Sequence, residues 1–178
     1  LMPSFEGLTL ARYVRVASIS FGGTGKASTI QEVIDNNLRE MTKLLVKAAA
    51  DQPDITCFPE CSPTLGLSHK ESAEAAEEIS GRILRTISAL AKKHEMYVAC
   101  PMVTKEDAKI YNSVVLIDRD GTVIGSYHKI HPTIGEIEGG ITPGGDPKTF
   151  KLDFGAVGFA ICFDLNFEDV MKGLARNG

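Results

Sequence analysis

The sequence predicts an α/β protein built on a mixed sheet. Three observations carry that expectation. Strand-like and helix-like segments alternate through the first half of the chain, and a hairpin pattern follows them. The run from Ala156 to Phe163 is apolar on both alternating sets of positions, as an inner strand covered on both faces would be. The 178 residues suffice for one core, and no repeat, low-complexity segment or linker divides them, so residues 1–178 read as one domain.

Val14 to Ser20 reads as a strand and Phe21 to Ser28 as a glycine-rich loop. From Thr29 to about Ala50, apolar residues recur at Ile30, Val33, Ile34, Leu38, Met41, Leu44 and Leu45, which is helical spacing. Asp54 to Pro59 is a short apolar run behind Pro53, and so a strand. Ser72 to His94 reads as a second amphipathic helix, weakened by Gly81, with Ile79, Ile83, Leu84, Ile87, Leu90 and Ala91 along one face. Met96 to Val103 and Ile110 to Asp118 are strands joined by a polar turn. Asp118 to Gly121 is a turn signal, and Thr122 to His128 completes a hairpin. Prolines and glycines mark 130–147 as a long loop. Thr149 to Leu152 and Ala156 to Phe163 follow as strands, and Asn166 to Arg176 as a helix.

The composition is that of an ordinary globular protein, 43% hydrophobic and 24% charged. A formal charge of −4 with no long basic run gives no electrostatic reason to expect nucleic acid as a partner. Cys57, Cys61, Cys100 and Cys162 lie in or beside apolar runs, without the paired spacing of a disulfide framework or the histidines of a zinc site. No secretory leader pattern and no membrane-spanning apolar stretch is present, so the expectation is a reduced, cytoplasmic protein without a membrane partner. Arg176-Asn177-Gly178 reads as a helix C-cap that hands the chain on to a further element, which predicts that the sequence is a fragment.

The loop Gly22-Gly-Thr-Gly-Lys-Ala-Ser28 imitates a phosphate-binding loop. That pattern requires a glycine where Ser20 stands and a Ser or Thr where Ala27 stands, so a flexible connection is the better reading. No Gly-x-Ser-x-Gly elbow announces a serine hydrolase. His69, His94, His128 and His131 include no metal-binding pair on a helix, and His128 and His131 read as surface or packing residues. Three other positions gain meaning together. Glu60 and Lys129 each end a predicted strand, where α/β sheets place ligands, and Cys162 lies near the end of an inner one. Alone, they would be a cap or surface acid, a solvated lysine and an inert core thiol. Together, they supply a proton acceptor, a charge stabiliser and a nucleophile for acyl transfer.

Phe58-Pro-Glu60, Tyr127-His-Lys-Ile-His-Pro132 and Gly158-Phe-Ala-Ile-Cys-Phe-Asp164 resemble the three signature segments of the nitrilase (carbon–nitrogen hydrolase) superfamily, in the family's order and with similar separations. Ala48 to Asp54 resembles the family's approach to its glutamate strand, so the likeness covers nearly the whole chain. It implies a four-layer α-β-β-α sandwich, incomplete at the C-terminus by roughly a third, a single carbon–nitrogen hydrolase domain, and no cofactor or metal. It further implies that Cys162 attacks the substrate carbon, Glu60 is the general base, and Lys129 with the backbone N–H of Phe163 holds the oxyanion. Glu136, seven residues after Lys129, is the implied second glutamate, with Glu138 in reserve.

A thiol titrates near 8.5, so a neutral-pH enzyme must lower that value or remove the proton during attack. A helix starting near Asn166 would present its positive end to Cys162 and favour the thiolate, and Glu60 beside Lys129 would stay ionised. The family's Phe-Pro-Glu after the cysteine's Asp is here Phe167-Glu-Asp169, without the proline. Phe163-Asp164 is closer to the amidase-like branches, whereas the Glu136 spacing leans towards nitrilases. The expectation is an amidase acting on a small non-peptide amide and releasing ammonia, with a carbamoyl hydrolase or nitrilase as runner-up. A truncated, non-catalytic binding module is the alternative of another class, and equal alkylation of all four thiols would favour it. A nucleotide-binding protein using the Gly22 loop is a further alternative, which phosphate-ligand stabilisation would reveal. The resemblance also implies a homodimer, with Phe167, Val170, Met171 and Leu174 as the stripe of its interface helix.

Overall fold

The computed structural model describes residues 13–25 and 27–177; Leu1-Met2, Lys26 of the glycine loop and Gly178 lie outside them. Strand β1 (Val16–Ser18) leads through the glycine loop to α1 (Ile30–Ala49). Thr29 opens that helix by accepting the Glu32 N–H at 3.2 Å, one of the donors that a helix start leaves without a partner. Strand β2 (Ile55–Cys57), helices α2 (His69–Glu74) and α3 (Arg82–His94), and strands β3 (Tyr97–Glu106), β4 (Lys109–Ile117) and β5 (Val123–His128) follow. The five strands form one mixed sheet in sequence order. β1, β2 and β3 are parallel, and β4 is antiparallel to both of its neighbours. The carboxyl ends of β2, β3 and β5 therefore share one edge with the start of β4.

Side-chain alternation splits the core between the two faces. Val98, Cys100, Met102, Val115 and Ile117 pack against Leu38, Met41 and Leu45 of α1 and Ile83, Leu84 and Ile87 of α3. Each such fully buried aliphatic side chain stabilises the fold by about 1.5–3 kcal/mol relative to exposure. On the opposite face, Tyr97 and Leu116 meet Leu152, Phe150 and Val157 of a two-stranded sheet, β6 (Thr149–Leu152) with β7 (Gly155–Gly158). Val157 and Phe159 point to the large sheet, so Gly158 between them points away from it. Leu174 of α5 (Glu168–Arg176) lies over Gly158, so close that a Cβ there would come within 2.7 Å of it. The order of layers is thus helix, sheet, sheet, helix, as the family resemblance implies.

Four expectations are corrected. The segment 72–94 is not one helix: it breaks between α2 and α3, where Glu77 forms an isolated bridge to Thr104. Gly81 becomes the N-cap of α3, with its N–H on Glu78 O at 2.7 Å. The long loop 130–147 contains α4 (Ile134–Glu138), announced by the capping box Thr133-x-x-Glu136. The run 156–163 is not an inner strand, because β7 ends at Gly158 and among the described residues pairs only with β6, which leaves Ala156 exposed. Finally, Cys162–Asn166 is a 3₁₀ helix, and α5 starts only at Glu168.

Candidate active site

The chain leaves β2 with the Phe58 N–H on Ala99 O, and Cys61 then reverses it in a left-handed conformation, φ +50°. Ser62 Oγ donates back to Pro59 O, and Asn37 Nδ2 holds Pro63 O at 3.0 Å and Leu65 O at 2.9 Å from beneath. This tight turn aims Glu60 across the sheet edge. Asn37 Oδ1 also accepts from Thr24, so the glycine loop is tied to helix α1.

Lys129 follows the last residue of β5, and its N–H binds Asn112 O at 2.8 Å. Its side chain is 2% exposed. The ammonium reaches Glu60 Oε1 at 2.7 Å and both oxygens of Glu136, at 3.0 and 2.8 Å. Burial works against the Lys129 charge, but the hydrogen bonds to Glu136 and Glu60 outweigh it and hold the pKa above the ordinary lysine value. Burial likewise pushes the Glu136 carboxyl up. Lys129, Asn112 and Thr133 more than reverse that, and its pKa lies below the usual carboxylate range.

Glu136 closes the capping box of α4. Its Oε2 accepts the Thr133 N–H at 2.7 Å and the Thr133 hydroxyl at 2.9 Å. With Lys129 on both oxygens and Asn112 on Oε1, its lone pairs are committed, which suits a fixed positioning charge and not a base. Glu138, the reserve candidate, is exposed and does not line the cavity.

Cys162 sits at the start of the 3₁₀ helix with φ +45° and is the exposed member of the four free cysteines. It shares one cavity of about 360 Å³ with Glu60, Lys129, Glu136 and Asn112, walled by apolar residues such as Leu65 and Val103. That volume lies at the small end of ligand sites, which run from about 300 to 1,000 Å³. Of the two routes open to a neutral-pH thiol, a pKa lowered by the following helix is not the one this geometry favours. Burial first, then the charge of Glu60 and a hydrogen bond to it, push the Cys162 pKa above the ordinary thiol value. The end of α5 is not placed to oppose this, since the 3₁₀ turn separates it from the sulfur.

The structure thus brings together all four residues singled out in the sequence. It adds Asn112, which donates from Nδ2 to Glu60 Oε1 and Glu136 Oε1, each at 2.7 Å. His128 and His131 stay outside the cavity: the first bonds Ser113 at 2.8 Å, and the second stacks on Phe167 and pairs with Asp169. Among the described residues no cluster of three His, Cys, Asp or Glu is placed to hold a metal. None of their helices is long and apolar enough to cross a membrane.

Residues 18–178 match the carbon-nitrogen hydrolase family model. The human omega-amidase NIT2 is 30% identical over 160 residues, which cover 84% of this chain and 57% of that protein. The chain therefore spans somewhat more than half the length of the curated relatives it matches. Among solved structures, Saccharomyces cerevisiae Nit3, a member of branch 10 of the nitrilase superfamily, superposes with a TM-score of 0.76 at 22% identity, over 92% of this chain and 60% of that one. An amidase from Nesterenkonia sp. gives a TM-score of 0.72 at 16% identity, over 94% of this chain and 62% of that one. With the layer order and the converging acids, lysine and thiol already in view, these matches establish that the chain belongs to the carbon-nitrogen hydrolase family.

Proposed function

We propose that this chain carries the reaction centre of a thiol hydrolase that cleaves the non-peptide carbon–nitrogen bond of a small amide and releases ammonia. The observation that carries the reading is the single cavity in which Cys162 faces Glu60 while Lys129 bridges Glu60 and Glu136. The omega-amidase relatives favour an amide over the carbamoyl and nitrile alternatives, and the small cavity suits a small substrate.

The steps follow from the placement of the four side chains around the cavity. Glu60 removes the proton from Cys162 Sγ as the sulfur attacks the amide carbon, and the carbonyl π electrons move to oxygen. Lys129 Nζ and the N–H of Phe163 stabilise that oxyanion; Phe163 lies in the first turn of the 3₁₀ helix, where N–H groups lack an intrahelical acceptor. The oxyanion collapses, the carbon–nitrogen bond breaks, and Glu60 returns its proton to the leaving nitrogen, which departs as ammonia. Glu60 then takes a proton from water as it attacks the thioester; collapse of the second intermediate breaks the carbon–sulfur bond, frees the acid and returns the proton from Glu60 to Cys162 Sγ. Glu136 remains a fixed charge beside Lys129.

The test is ammonia release from a panel of small amides. Cys162→Ala should abolish it. Lys129→Ala should lower kcat by about 10²–10³, the usual cost of an oxyanion donor. Unchanged turnover in the folded Cys162→Ala variant would refute the reading.

We further propose a cytoplasmic setting, compatible with four free thiols, and self-association through α5. Val170 is buried and Leu174 is occupied by Gly158, so the surface left for a second copy centres on Met171 and Leu165.

A further inference from the structure

We propose that Asn112 is a positioning residue that clamps Glu60 and Glu136 about Lys129 and selects which oxygen of Glu60 acts as the base. The inference rests on the reading of Glu60 as general base.

Asn112 lies in β4, on the face that carries Val103 and the cavity, and is 1% exposed. It holds three members of the site at once. Its backbone carbonyl accepts the Lys129 N–H, one Nδ2 proton goes to Glu60 Oε1, and the other goes to Glu136 Oε1. Two carboxylates gathered on one nitrogen repel each other, and the single ammonium between them leaves the group net negative. A primary amide suits this place because it offers two protons from one atom and adds no charge. Aspartate would add a third acid, and an aliphatic residue would supply no donor.

The consequence for Glu60 is asymmetry. Oε1 takes Asn112 Nδ2 at 2.7 Å and Lys129 Nζ at 2.7 Å. Among the described residues, no such pair of donors engages Oε2, which is left to receive the proton of Cys162 and later that of water. The orientation of the amide is unambiguous, since the flipped form would set Oδ1 against two carboxylates. As it stands, Oδ1 is buried without a hydrogen-bond partner among the described groups. An asparagine serving only the core would satisfy both ends of its amide. Here the acids take the donor end and the acceptor end goes unmatched.

Removing the clamp takes a hydrogen bond from the charged form of each acid, so the acid limb of the pH–rate profile should move to higher pH. Asn112→Ala should lower kcat about 10–100-fold, the range for a lost bond to a charged group, with KM little changed. Asn112→Asp keeps the shape of the side chain and should shift the acid limb further still. The pH dependence of Cys162 alkylation by iodoacetamide should shift with it in both variants. The unmodified chain gives a test that needs no variant to fold. Its two Asn112 Nδ2–H resonances should lie downfield of ordinary asparagine signals and titrate together through the acid limb.

Parent-like rates and pH profiles in folded Asn112→Ala and Asn112→Asp would overturn the proposal, as would ordinary, pH-insensitive Nδ2–H signals. An unmodified chain that hydrolyses no amide would sink the hydrolase reading instead. In that case the resonance and alkylation measurements would still decide whether Asn112 clamps the two acids.

Discussion

Cys162 adopts φ +45°, a left-handed conformation that costs a non-glycine residue about 1–2 kcal/mol. One carboxylate ties the turn that imposes it. Buried Asp164 accepts from the Tyr127 hydroxyl at 2.7 Å and the Ile161 N–H at 2.9 Å on Oδ2, and from the His131 N–H at 2.8 Å on Oδ1. Asparagine in its place keeps one acceptor oxygen but sets an NH₂ group against donors. Asp164→Asn should therefore lose about 1.5–3 kcal/mol in urea unfolding, the scale of bonds to a charged group. It should also slow Cys162 alkylation under conditions where the variant is fully folded, and parent-like alkylation there would sever the link between Asp164 and the nucleophile. At this scale Glu60, Lys129, Glu136 and Cys162 were legible because each sits in or near a recognisable local segment. Asn112 was not, since nothing near it in the chain announces partners 52 and 24 residues away. The available signal was the asparagine itself, a polar group inside the apolar run of β4 that must find a partner.

Among the elements, α1 and the β3–β4–β5 hairpins were readable because their patterns and turns are local, whereas the break between α2 and α3 is imposed from outside. Glu77 leaves the helical path because its backbone joins β3: its N–H meets Val103 O and its carbonyl accepts the Lys105 N–H at 2.9 Å. Its carboxylate then accepts the Ile83 N–H at 2.9 Å, which caps α3. Helical periodicity continues across this gap and hides it, although Ser68 and Glu71 form a capping box that marks where α2 begins. Gly81 distinguishes the two pictures. In one continuous helix, Gly81→Ala would stabilise the protein by about 1 kcal/mol. In the observed fold the new Cβ would meet the Glu77 carboxylate and lie 2.8 Å from both Glu77 Cβ and Glu78 O. The expected outcome is a loss of about 1–3 kcal/mol by urea unfolding, the cost of overpacking. The sign alone decides.

For the whole molecule, the same burial that builds the core sets a limit on its stability in alkali. Cys100, fully buried on the helix-covered face of β3, and Cys61, half-buried at the cavity, are both pushed up to about 12, chiefly by burial. In the unfolded chain these thiols titrate near the ordinary value of 9.0. Between those values the folded state holds a proton that the unfolded state has released, so stability falls as pH rises. The slope is about 1.4 kcal/mol per pH unit for each thiol. Two thiols over two units remove about 5 kcal/mol, the whole stability of a marginal domain. Lys129 does not start this decline. Its folded pKa lies above 10.5, so its contribution is complete below 10.5 and is lost only as pH rises through the folded value. Urea unfolding followed from about pH 8 to about pH 11 should therefore show a falling limb that begins near 9. Cys100→Ala should lower the neutral plateau through the lost packing yet reduce the alkaline slope by one thiol's share. An unaltered slope in that variant would mean that the Cys100 thiol does not govern the alkaline limit, and that other groups, buried Tyr127 among them, set it instead.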